Sequence, residues 1–342
     1  ANLLSNGSVL TYIIHRNAIR SNDYNKLRKF ILDNTSILNI LSFKIGVFEN
    51  VTGEMTVLII KKTKAKENHK IKIAFCKDTI QEGEISYKII QQEIFKHLPD
   101  YRFNIYLTDP IIKLLEKVKI NCKTLEQISS ITQGIIVGDE KKLVAKEILK
   151  RNYRPILRGK NISKFKLEFE NEFVNYHSGT KVLTRGKIPS LFEVPEKILT
   201  QHISSKIIAT LDTNQYYYLQ TINGIISTNN KFQNKYLLAL LNSTVLIFFY
   251  EFTYNMGAEF TTAVAIENLS QLPIKETPNQ LLFITIVDRI LSAKKVNPQA
   301  DTKAWEKQID IMVYKLYDLT YDEVKIIEPE FEMSEEEYGK FN

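Results

Sequence analysis

The chain has 342 residues, 44% of them hydrophobic and 25% charged, which is enough apolar material for two or three compact units and excludes a disordered or fibrous protein. Its two cysteines, Cys76 and Cys122, exclude a disulfide framework and a cysteine-rich zinc site and fit a reducing, cytoplasmic compartment. The formal net charge of +7 decides little by itself, because a polyanion partner responds to where the charge lies.

Taken in chain order, the first element is a short β-rich run, Val9–Ile14, directly after an Asn6-Gly7 turn signal. Ser21 is a good helix N-cap, and Tyr24, Leu27, Phe30 and Ile31 then recur at helical spacing, predicting an amphipathic helix with those residues inward. Ile37–Phe43 and Met55–Ile60 read as two further strands, apolar enough for a sheet interior. Three strands and one helix make a poor independent core, so this part reads as the closing portion of an α/β domain. The charged stretch 61–72 is expected to be a loop. A helix is expected near Tyr87–Leu98, and another after Pro110 on Ile111, Leu114, Leu115 and Val118.

From about Leu125 the texture changes to short strands with turns marked by Gly134, Gly138, Gly159, Gly179, Gly186 and Gly224, as in an α+β domain running to about Pro273. Within it the run Tyr236–Tyr250 is broken by Asn242, Ser243 and Thr244 and falls short of the roughly 20 residues of a membrane span, so it reads as a buried helix. Beyond Pro278 the period is again helical, on Leu281, Ile284, Val287, Ile290 and Leu291 and then on Trp305, Ile309, Met312 and Leu316.

Charge is concentrated in the middle. Lys141, Lys142, Lys146, Lys150, Arg151, Arg154, Arg158, Lys160, Lys164 and Lys166 stand against one acid, Glu147, whereas glutamate dominates from Glu328 onward. A central basic block with an acidic tail suggests a localised polyanion site. The alternative for the same residues is a solvated helix face followed by a loop.

Motifs of complete active sites are absent. The chain has no Gly-x-x-x-x-Gly-Lys-Ser/Thr or Gly-x-Gly-x-x-Gly loop and no Gly-x-Ser-x-Gly elbow. Its histidines, His15, His69, His97, His177 and His202, show no metal-ligand spacing, so no metal is expected.

What is present is a series of phrases in order. Leu3-Leu4-Ser5-Asn6-Gly7-Ser8-Val9-Leu10-Thr11-Tyr12-Ile13-Ile14, then Leu27-Arg28-Lys29-Phe30-Ile31-Leu32, Val47-Phe48-Glu49-Asn50-Val51-Thr52 and Thr56-Val57-Leu58-Ile59-Ile60-Lys61-Lys62 resemble the last motifs of gamma-class adenine-N6 DNA methyltransferases. These include the TaqI-like proteins and fused type IIG restriction–modification enzymes. Two local departures stand out, Ser8 where a second glycine is usual and His15 where a proline is usual. The resemblance continues through Thr132-Gln133-Gly134-Ile135-Ile136-Val137-Gly138, Ile156-Leu157-Arg158-Gly159-Lys160-Asn161-Ile162, Pro195-Glu196-Lys197-Ile198-Leu199, Leu238-Ala239-Leu240-Leu241-Asn242-Ser243 and Leu272-Pro273-Ile274, which are similar to the landmarks of the TaqI-like specificity domain. The stretch from Ile309 to Thr320 is similar to the helical signature that closes these proteins.

The resemblance implies an α/β remnant of a methyltransferase Rossmann-like domain over residues 1–110, an α+β target-recognition domain over 120–275 and a C-terminal helical tail over 276–342. It implies double-stranded DNA as partner, no membrane, and a parent enzyme that methylates adenine N6 with S-adenosylmethionine, with or without a fused nuclease. The catalytic Asn-Pro-Pro-Tyr and the cofactor loop occur nowhere in the chain, so the chain alone is expected neither to bind the cofactor nor to methylate, and an upstream segment of the same polypeptide is expected to carry them. Phe48 is the implied stacking partner of the extruded adenine; read without the family, it is a core residue between two strands. Lys141, Lys142, Arg151, Arg154, Arg158, Lys160, Lys164, Arg185 and Lys187 are the candidate DNA contacts, with Gly159 letting the backbone approach the duplex. Asn242, inside an apolar helix, is expected to have its amide satisfied internally. Two other readings stay open: a non-catalytic specificity subunit of a type I-like system, and an RNA-binding module, against which stands the lack of an aromatic RNA-recognition signature.

Overall fold

The computed structural model describes residues 4–43, 47, 51, 53–76, 86–176, 183–185 (backbone only), 188–256 and 263–341. The chain forms two compact units, residues 1–112 with Phe252–Met256, and residues 113–251 with 257–342.

In the first unit, β1 (Val9–His15), α1 (Asn25–Asn34), β2 (Ser36–Phe43), β3 (Met55–Lys61), β4 (Lys70–Cys76) and β5 (Lys88–Gln91) follow in chain order. Among the described residues they form a five-stranded sheet in the order β1-β3-β2-β4-β5. β3 lies antiparallel between β1 and β2, β4 runs parallel to β2, and β5 returns antiparallel. Hence β1, β2 and β4 all end at one edge, at His15, Phe43 and Cys76, where β3 and β5 begin. One face is the core: Ile40 stands opposite both Leu58 and Ile73, and all are buried. On the other face Ile13, Val57 and Leu41 stand in one row; Ile13 is 55% exposed and the other two are half-buried.

The loop expected over 61–72 holds for 62–69 and gives way to strand at Lys70, because the Lys-Ile-Lys-Ile alternation has period 2 and puts Ile71 and Ile73 into the core. The helix expected near Tyr87–Leu98 is β5 followed by a single turn, Ile94–His97; the β-branched pair Ile89-Ile90 extends the sheet. α1 is where expected, but it presents another face. It buries Arg28, Ile31 and Leu32, and leaves Tyr24, Leu27 and Phe30 exposed. Arg28 can enter the core because backbone carbonyls receive its guanidinium, Ala18 O at 3.0 Å and Asp100 O at 2.9 Å. Burial, and then the nearby Arg102, push its pKa down to about 10.

The second unit contains β6 (Ser129–Gln133), β7 (Val144–Ala145), β8 (Tyr153–Leu157), β9 (Phe173–Asn175), β10 (Lys197–Gln201), β11 (Ala209–Asp212), β12 (Tyr217–Tyr218) and β13 (Ile222–Ser227). Two four-stranded sheets result among the described residues, β12-β8-β9-β7 and the wholly antiparallel β11-β10-β13-β6. A shared core binds them, with Ile156 and Leu157 of β8, Leu199 of β10, Ile222 of β13 and the rings of Phe192 and Tyr217, whose centroids are 4.4 Å apart. Full burial of such side chains is worth roughly 1.5–3 kcal/mol each, so the cluster ties the two sheets together.

Helices α2 (Asn234–Leu241) and α3 (Thr244–Tyr250) account for the long apolar run and are buried. They bend by 62° at Asn242-Ser243, and among the described residues no single helix is long and apolar enough to cross a membrane. Asn242 is 2% exposed, and its amide both accepts from and donates to the backbone of Ala209, each at 3.0 Å. The later helices α4 (Gln280–Val296) and α5 (Lys303–Leu316) belong to this same unit; Tyr236 of α2 meets Phe283 of α4 edge to face.

Candidate nucleic-acid interface

β8 ends at Leu157, and the chain then makes one tight turn, Gly159–Asn161, that carries the Arg-Gly-Lys phrase. Asn161 Oδ1 accepts from the Arg158 amide at 2.7 Å and closes the turn. A Cβ at Gly159 would lie 3.1 Å from the carbonyl oxygen of Thr221, so the backbone is closely packed at this turn. Gly134 is tighter still, since a Cβ would fall onto the carbonyl oxygens of Tyr218 and Leu219. Gly134 therefore lets the chain after β6 pack against the end of β12.

The basic block is less free than its sequence implies. Arg158 donates to Glu172 at 2.6 Å and to Glu140 at 2.9 Å, and Lys146 reaches the same Glu172 at 3.0 Å. Lys142 pairs with Asp139, Arg154 with Glu193, Lys160 with Glu170, Lys164 with Glu306 and Lys166 with Glu168. Lys141, Lys150 and Arg151 are exposed and have no ion pair among the described residues. The acids come from positions outside the 141–166 window, which is why a count within it found only Glu147. Burial alone would raise the Glu172 carboxyl, but hydrogen bonds from Arg158 and Lys146 outweigh it and hold the group below the usual carboxylate range. The exposed pairs, such as Lys160–Glu170 at 60% and 44% exposure, are worth about 0–1 kcal/mol each and can exchange their acid for a phosphate at little cost. Arg185 lies on the short strand Leu183–Arg185, paired with Ile136–Val137, and its side chain is outside the described residues, as is Lys187.

Phe48 is also outside the described residues. The segment 44–54 that contains it joins β2 to β3 at the sheet edge where β1, β2 and β4 end. In open α/β sheets, ligands are bound beyond the carboxyl ends of the strands. Sequence reading missed the charged cluster built there. Glu54, 2% exposed, receives Arg16 and also Arg20, the latter at 3.1 Å, and Arg16 donates in addition to the Tyr106 hydroxyl. The one available sign was an arginine directly after β1 and a glutamate directly before β3, placed opposite each other by the strand register.

Lys88 begins β5 at this edge and donates to Ile105 O at 2.7 Å. Burial lowers its pKa to about 8. Its folded pKa is thus below the unfolded value of roughly 10.4, so folding releases a proton between the two and stability should rise with pH across that window. Denaturant unfolding of Lys88→Met at pH 8 to 10 should lack the rise seen in the parent chain; parallel curves would refute the assignment.

Comparison with known proteins adds the deciding observation. Residues 154–274, from within β8 to Ile274, match the TaqI-like C-terminal specificity domain. This stretch is a specificity-domain match. It covers most of the second unit's two sheets, the Arg158 turn, and helices α2 and α3. No curated protein sequence matches the chain. Among solved structures, the type IIL restriction–modification enzyme MmeI in complex with DNA aligns over 97% of this chain and 49% of its own at 11% identity and a TM-score of 0.57, a likeness of fold across both units. The type IIG restriction endonuclease BpuSI aligns over 96% and 48% at 14% identity and a TM-score of 0.38. The ATP-dependent type ISP restriction–modification enzyme LlaBIII bound to DNA aligns over 84% and 25% at 9% identity and a TM-score of 0.48. The chain spans about half the length of the first two.

Proposed function

We propose that this chain supplies DNA sequence recognition to a site-specific adenine-N6 methyltransferase of a restriction–modification system. The observation that carries the reading is the specificity-domain match over residues 154–274, set in a chain whose fold is similar to that of MmeI over nearly its whole length. On this reading the second unit grips and reads a duplex, and the first unit is the closing part of a Rossmann-like methyltransferase domain.

The surface of the first unit supports the second half of the proposal. Among the described residues β1 has one partner strand, and Val9, Tyr12 and Ile13 on it are each more than half exposed. Tyr24, Leu27 and Phe30 of α1 are 43–46% exposed. An apolar, exposed edge strand is a template for pairing with another strand. A further segment of the same polypeptide pairing with β1 would cover its exposed residues. This favours the methyltransferase reading over a free-standing specificity subunit, which has no use for an unfinished sheet.

Neither Asn-Pro-Pro-Tyr nor a glycine-rich cofactor loop occurs in the sequence, so on this reading S-adenosylmethionine and the methyl-transfer step belong to a further segment of the same polypeptide. The part played by this chain is to hold the duplex and, through Phe48, to stack the adenine once it has left the helix.

Mapping N6-methyladenine after incubation of the full-length protein with DNA and S-adenosylmethionine should find one sequence motif. DNA binding without any sequence preference would overturn the reading; sequence-specific binding that needs a separate methylating partner would favour the specificity subunit. In the same assay Phe48→Ala should lower methylation on the order of tenfold or more while leaving duplex affinity nearly unchanged, since stacking on an extruded base is worth roughly 1–3 kcal/mol. Equal loss of both, with normal folding, would return Phe48 to the core.

A further inference from the structure

The sheet edge where β2 ends and β3 begins carries an aromatic group that the reading above does not use. Phe75 is the next-to-last residue of β4, the immediate parallel neighbour of β2. Register places it in a row with Ser42 and Thr56 on the core face. Ser42 and Thr56 are 4% and 0% exposed, yet Phe75 is 45% exposed, because β5 begins at Lys88, opposite Ile73, and stops short of it. Tyr106 lies against the Phe75 ring with centroids 5.1 Å apart and planes inclined by 35°. The Arg16 guanidinium stands 5.2 Å from the Tyr106 centroid, and Lys88 Nζ stands 6.0 Å from that of Phe75.

A flat apolar ring held from behind, with an ammonium at its margin, matches one ligand chemistry well. A nucleobase offers a π-face to the ring, and its phosphate offers a negative charge to the ammonium, which has donors to spare beyond the one bonded to Ile105. Bases inside a duplex are stacked on both faces, and a ring set in a strand cannot be inserted between them as a protruding loop tip could. We propose that Phe75, backed by Tyr106, stacks an unpaired nucleobase of the bound DNA, with Lys88 drawing the adjoining phosphate. Phe75 is on this view a positioning residue. The proposal rests on the reading that the first unit works on DNA from which a base has been turned out.

The test uses the full-length protein with two duplexes of the recognised site, one fully paired and one with 2-aminopurine at the target position facing an abasic site. Phe75→Ala should weaken binding of the unpaired duplex on the order of tenfold, change the paired duplex less than about twofold, and reduce the quenching of the 2-aminopurine fluorescence. Phe75→Trp should restore both affinity and quenching. Equal weakening on the two duplexes, or none on either, overturns the stacking role. If the wild-type protein binds neither duplex, the proposed function falls first and this inference with it.

Discussion

Replacing Asp212 by alanine should destabilise the second unit by roughly 3–5 kcal/mol and lower its melting temperature on the order of 10 °C. Lys197 and Asp212 stand directly opposite each other on β10 and β11, both at 0% exposure, with Lys197 Nζ 2.5 Å from the carboxylate. The ammonium also donates to Phe192 O at 2.7 Å, and the carboxylate accepts from the amides of Asn214 and Tyr216. Burial pulls the Lys197 pKa down, and the attraction of Asp212 opposes this. Removing the aspartate leaves that charge unpaired and orphans two amides. Lys197→Met should cost less, because the carboxylate keeps both amide donors. The combined Lys197→Met, Asp212→Asn variant should recover much of the loss, since a buried pair contributes little net stability compared with neutral residues of similar volume. Calorimetric melting of the three variants orders them; an Asp212→Ala protein that melts within a few degrees of the parent would refute the account. The turn closed by Asp212 leads into Tyr217-Tyr218, which pairs with the end of β8, so loosening it should also disturb the Arg158 turn.

The full-length protein should lose duplex affinity by roughly 10³–10⁵ between 50 and 200 mM salt if the basic block grips six to ten phosphates. The ion pairs sharpen that figure. Were Lys141, Lys150 and Arg151 alone to act, with every other cation kept by its acid, the same salt change would reduce affinity only about 40-fold. A steep response therefore means that the acids are exchanged for phosphates on binding. Glu172→Gln releases Lys146 and leaves Arg158 held by Glu140 alone; it should tighten binding at low salt and steepen the salt slope by about 1. A flat salt response in the parent protein would remove the block from the interface.

How much of this could be read in advance depended on the range of the interactions involved. Val9–His15, Ser36–Phe43 and Met55–Lys61 were legible because alternation along a strand is a local pattern, and the two long helices after Pro278 for the same reason. The inward face of α1 was not, because Arg28 is buried by carbonyls at Ala18 and Asp100 that lie 10 and 72 residues away. The Arg16–Glu54–Arg20 cluster and the row that exposes Phe75 likewise exist only once strands from separate stretches come into register.

From the sequence alone came the order of the elements, the collinear phrases that resemble a TaqI-like specificity domain, and the place of the basic block, all of which depend on neighbours along the chain. The tertiary structure alone decided which of those cations already have partners, that Gly134 sits against the carbonyls of Tyr218 and Leu219, and that a buried lysine faces a buried aspartate. The physical reason is that side-chain periodicity is fixed by backbone geometry over a few residues, whereas desolvation and charge pairing are settled by whatever distant segment the fold brings within a few ångströms.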